Sequence, residues 1–117
     1  MKVLALVTAV MLLSACGGKQ DQYYWGSYEK VIYLHHIQPG DAPAEAQIDM
    51  LLQDKAEAIN AGLKVPPGLN AHLGMMHAQL GNADAALAAF EEEKKAFPDS
   101  AKFIDDTIQR IKGGALK

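Results

Sequence analysis

One cysteine stands in the 117-residue chain, at position 16, and no second thiol exists to make a disulfide or a thiolate zinc site with it. The four histidines are the next residues able to do chemistry. His35 and His36 are adjacent, so on a helix they point ~100° apart, and His72 and His77 are five residues apart rather than four. Neither pair is a ready chelate, and solvated or core-edge histidines are the competing reading. Ser14, Ser27 and Ser100 fall in an apolar N-terminal run, a helix start and a helix cap, not in a Gly-x-Ser-x-Gly elbow. There is no glycine-rich phosphate loop. The acidic run Glu91–Glu93 is followed by Lys94 and Lys95 and reads as a solvated helix face. We therefore expect no catalytic residues, no metal and no small-molecule substrate, and Cys16 needs another explanation.

Its surroundings supply one. Lys2 gives a short positive start, Val3–Leu13 is an apolar run broken only by Thr8, and Ser14 and Ala15 are small. A membrane-spanning helix needs ~20 apolar residues, whereas Gly17-Gly18-Lys19-Gln20-Asp21 follows here at once, so a retained transmembrane anchor is not expected. Leu13-Ser14-Ala15-Cys16 resembles the lipobox of bacterial lipoproteins. That resemblance implies a signal peptide over 1–15, a covalent lipid on Cys16 as the chain's only non-protein group, and a lipidated tether over 16–22. Gly17, in place of the aspartate that retains many lipoproteins in the inner membrane, implies the outer membrane, facing the periplasm. An ordinary secretory signal leaving Cys16 as a free thiol is the alternative. With two or three acyl chains the anchor would hold, because one chain alone gives only marginal binding.

Net charge is −3 and the sequence pI ≈ 5.7, with basic residues scattered, so the electrostatic footprint of a nucleic-acid binder is missing. Length allows one modest core and little more. Composition leans towards a small binding or accessory module.

After the tether the periodicity is helical almost throughout, which predicts an all-α domain of about five helices over 23–112 and a flexible tail over 113–117. Tyr24/Trp25, Tyr28, Val31/Ile32 and His35 mark a first helix ending before Pro39-Gly40. Ile48, Leu51/Leu52, Ala56 and Ile59 mark a second, from near Pro43 to Gly62. Pro66, Pro67 and Gly68 form a stiff corner into a third, with Leu69, Leu73, Met76 and Leu80 as its stripe. Gly81-Asn82 closes a tight hairpin onto a fourth, with Ala83, Ala86/Leu87, Phe90 and Phe97 inward. Pro98 ends it, and Asp99 caps a fifth carrying Phe103/Ile104, Ile108 and Ile111.

The tetratricopeptide pattern, W-x2-L-G-x2-Y, then A-x3-F, then P, falls on Asn70, Leu73, Gly74, His77, Ala86, Phe90 and Pro98, matching at five of seven positions. Asn70 and His77 depart from the large aromatics, and a shift of 34 residues finds no second copy. Any helical hairpin with a Gly-Asn turn would do as well. If the pattern holds, the third helix lines the concave side, and Ala71, Met75 and Gln79 become a candidate partner-binding stripe. Met75 is the anchor of that stripe if it binds, although a methionine at helical spacing is more often core. Four tyrosines and the only tryptophan, Tyr23, Tyr24, Trp25, Tyr28 and Tyr33, crowd the first helix, either as core or as a surface meeting a partner or the bilayer; Tyr24, Trp25 and Tyr28 are the second candidate contact set.

Tyr24-Trp25-Gly26-Ser27-Tyr28, Val65-Pro66-Pro67-Gly68, Gly74, Gly81, Ala86, Phe90, Glu93 and Phe97-Pro98-Asp99-Ser100 with Phe103, taken in order, resemble the bacterial lipoprotein family of unknown function DUF4810. The resemblance spans the mature chain and brings no catalytic residues. It implies a small helical lipoprotein encoded beside a lipoprotein similar to the curli-secretion channel subunit and a third lipoprotein. The expected function is a membrane-anchored, protein-binding accessory or assembly factor of such an envelope secretion complex. A structural or surface-exposed envelope lipoprotein without a dedicated complex is the rival, and a small hydrolase a distant third.

Overall fold

The structure, a computed structural model, describes residues 22–114. Cys16, the apolar segment 1–15, nearly all of the tether and the residues 115–117 lie outside the described residues. Five α-helices follow one another: α1 (Tyr28–Ile37), α2 (Ala44–Ala61), α3 (Leu69–Gln79), α4 (Ala83–Ala96) and α5 (Ala101–Lys112), with a 3-10 turn at Pro98–Ser100. Among the described residues there is no strand, only an isolated bridge between Tyr23 and Lys64. The all-α class is as expected, and α3 and α4 pack along each other as a hairpin turned at Gly81, whose φ is +78°.

Leu80, Ala83, Leu87 and Phe103, expected on inward stripes, are exposed, and α1 and α2 differ from the expectation further. Tyr24 and Trp25 are not helical, because Gly26 sits at φ +45°, a left-handed conformation that an L side chain resists, and α1 begins only at Tyr28. On α2 the inward face is Gln47, Ile48, Leu51, Asp54 and Ala58, while Ala56, Leu52 and Ile59 face solvent, Ile59 at 77% exposure. The face is rotated because two polar side chains, Gln47 and Asp54, are drawn inward by partners described below.

The core has two parts. Val31, Ile48, Leu51, Leu69, Leu73, Met76 and Ala89 join α1 to α4, and Ala71, Ala86, Phe90 and Ile104 join the hairpin to α5. Met75 packs against both. Gly74 lies under Phe90: a Cβ there would fall 2.7 Å from the ring, so the close approach of α3 and α4 depends on its absence. Asp99 makes no cap bond; the turn before α5 is held by the Ser100 hydroxyl, which donates to the Phe97 carbonyl at 2.6 Å.

Candidate functional site

Helix starts leave backbone N–H groups without intrahelical acceptors, and in this chain two buried carboxylates from other helices supply them. Asp54 of α2 accepts from the Ser27 N–H at 2.9 and 3.1 Å and from the Ser27 hydroxyl at 2.8 Å, which fastens the start of α1 onto α2. A Cβ on Gly26 would lie 2.3 Å from this carboxylate. Glu93 of α4, only 2% exposed, accepts from the Gly68 N–H at 2.7 Å, with the N–H groups of Asn70 and Ala71 also directed at it. Burial raises the Glu93 pKa, and these backbone hydrogen bonds pull the other way. Tyr28 shares the corner: its hydroxyl crowds Gly68, and burial followed by the Glu93 charge raises its pKa. Asn70 Oδ1 and Glu93 Oε2 are buried acceptors without a protein hydrogen bond.

A second polar contact ties α1, α2 and α3 together. The Gln47 side-chain N–H donates to the Ala42 carbonyl at 2.7 Å, leaving Oε1 facing His72 Nε2, also at 2.7 Å. That oxygen can only accept, so His72 carries its proton on Nε2. Burial, then the charges of His35 and His36, lowers the His72 pKa to about 4. The His35 ring meets His72 edge-on with centroids 4.8 Å apart. Burial and the charge of His36 lower the His35 pKa. Among the described residues no three histidine, cysteine or acidic side chains are grouped to hold a metal.

Among the described residues, two of the concavities that reach the surface stand out by their linings. An apolar groove of ≈ 230 Å³ runs between the hairpin and α5, lined by Ala78, Leu87, Phe90, Ile108 and Ile111 with Lys112 at its end. The other, a cleft of ≈ 580 Å³, lies between the entering chain and the end of α4 and is lined by Tyr23, Lys64, Val65, Asn70, Glu92, Lys95 and Phe97. Rings continue beyond it, Tyr23 packing on Phe97 and on Trp25, and Trp25 stacking on Tyr28.

The predicted partner-binding stripe is not brought together as a surface. Ala71 is buried in the second core cluster with Ile104 of α5, and Met75 is half-buried between the clusters; only Gln79 is exposed. The last helix fills the side of α3 that the repeat pattern left open. Of the aromatic set, Trp25 is 45% exposed, whereas Tyr24 and Tyr28 are half-buried. Pro66, Gly68, Leu73, Gly74, Gly81, Ala86 and Phe90 sit in the corner, hairpin and core as expected, while Pro67 and Pro98 face solvent.

The reading of Glu93 as a solvated residue is corrected by its burial, and Asp54, Gln47 and His72 were not singled out as a set. Position gives one clue: Ala86, Phe90, Glu93 and Phe97 follow each other at spacings of four, three and four, so the charge falls inside the apolar stripe. Residues 22–107 match the model of the domain of unknown function DUF4810. No curated protein and no solved structure matches the chain. The match covers most of the chain, which therefore belongs to this family.

Proposed function

We propose that this DUF4810 chain is a lipid-anchored envelope protein that works by binding other proteins, as an accessory or assembly factor of a secretion complex similar to the curli-channel system. The observation that supports binding is the groove between hairpin and α5. It is walled almost entirely by apolar side chains, and Leu87 on its wall is 39% exposed. Apolar surface kept open on so small a domain favours a partner over chemistry. The lipobox supports the anchor at Cys16, Gly17 supports the outer membrane and its periplasmic side, and the family resemblance supports the secretion setting.

Two measurements test the reading. Labelled fatty acid enters the wild-type chain, and Cys16→Ala loses both the label and the membrane fraction; an unlabelled wild type rejects the anchor. Leu87→Glu keeps its helicity and melting temperature and loses co-purification with the channel-like lipoprotein. A folded Leu87→Glu chain that still captures that partner removes the groove from the interface.

A further inference from the structure

We propose that the face made by Tyr23, Trp25 and Phe97, with Lys95, is the side of the domain that rests on an anionic membrane surface. This inference rests on the lipid-anchor reading of Cys16, and three observations place the bilayer at this face rather than another. The chain enters the fold here: the Lys64 N–H donates to the Gln22 carbonyl at 3.1 Å and the Tyr24 N–H donates to the Lys64 carbonyl at 2.9 Å. Gln22 is six residues from Cys16, so an anchor at Cys16 is held within ~20 Å of that point. The side chains are of the kind that sits at headgroup level. Trp25, 45% exposed, meets Tyr23 edge-on at 6.2 Å, and Tyr23 meets Phe97 at 6.2 Å, a row of rings with polar edges on Trp and Tyr.

The charge is complementary as well. Lys95 lines the cleft beside Tyr23 and Phe97, and Glu92, the carboxylate that lines it, is paired with Lys55. Each lysine near an anionic surface contributes about 1 kcal/mol, a factor of about five in binding. No helix among the described residues is long and apolar enough to cross a membrane.

Trp25 is the only tryptophan and reports its own position. The acylated protein, reconstituted into phosphatidylcholine vesicles containing phosphatidylglycerol, should show blue-shifted Trp25 emission that is quenched by lipids brominated near the headgroup. The unacylated Cys16→Ser chain should bind the same vesicles weakly. Lys95→Gln should weaken that binding by about five-fold, one such factor. Lys102→Gln, on the exposed side of α5, should leave it unchanged. Binding of the Cys16→Ser chain with this lysine dependence supports the face even if fatty-acid labelling of the wild type fails, so the two readings fail separately. Trp25 that stays open to aqueous iodide and unquenched by brominated lipid in the vesicle-bound acylated protein overturns the proposal and leaves the face to a protein partner. Equal binding by the Lys95 and Lys102 variants overturns it too.

Discussion

Asp54 and Glu93 do for this chain what N-cap side chains usually do locally, but from a distance of 27 and 25 residues. A carboxylate in that role joins two helices as well as ending one, so its loss is felt at both. Asp54→Ala should cost about 1.5–3 kcal/mol, the range for hydrogen bonds to a charged group, with Asp54→Asn in between, read from urea midpoints. A loss as small as that of an exposed acid such as Asp84 would mean that the Ser27 contacts carry no weight. The buried titrating groups give opposite signs. With its folded pKa lowered from 6.5 to about 4, His72 stays neutral while the unfolded chain protonates, so its share of stability is complete above about 6.5 and lost as pH falls to about 4. The loss is on the order of 3 kcal/mol. His72→Gln should flatten that fall in a series of urea melts across this window; an unchanged slope would assign the pH dependence elsewhere. Glu93, raised above 4.5, binds its proton more readily folded than unfolded, so its contribution grows as pH falls through its folded pKa and on past 4.5, and Glu93→Gln removes that gain.

Among the elements, the hairpin was the most legible because its residues act locally: Gly81 turns the chain, and Leu69, Leu73 and Met76 on one helix and Ala86 and Phe90 on the other repeat at helical spacing. The faces of α1 and α2 were less so. Leu52 and Ile59 read as core because they are apolar, yet the helix is turned by Asp54 and Gln47, whose donor and acceptor partners, respectively, lie in other segments. Hydrophobic periodicity carries no record of a polar partner 27 residues away. The same holds for the candidate contacts: Ala71 looked available only so long as the position of α5 was unknown. The close approach at Gly74 gives a direct test of the hairpin. Gly74→Ala gains up to about 1 kcal/mol of helix propensity. The Cβ would fall 2.7 Å from the Phe90 ring, and overpacking of this kind costs about 1–3 kcal/mol. The melting temperature should therefore drop or at best hold, while Gly74→Leu should fall well below Gln79→Leu, a change at an exposed position of the same helix. Adding Phe90→Leu to Gly74→Ala should cost less than the two single changes summed, since the smaller side chain removes the clash. Additive losses would show that the glycine and the ring do not meet.

At the scale of the whole molecule, the two core clusters are joined through the α3–α4 hairpin, and Met75 is a side chain packed against both. An unbranched thioether suits that position, because it fills an irregular gap between layers laid down by different helices. One cluster holds α1 and the other α5, so Met75 decides whether the ends of the fold open together or apart. Met75→Ala should cost about 2 kcal/mol, the low end for a buried methionine since this one is half-buried. Against the 5–15 kcal/mol of a typical domain that leaves a folded protein. Native-state hydrogen exchange then distinguishes the cases: if the clusters form one cooperative unit, amides of α1 and α5 lose protection by the same amount. Protection lost in α5 alone would show that the last helix opens on its own. In that event the apolar groove beside Ile108 and Ile111 would widen in the same motion, and a partner seated there would bind α5 in its open state.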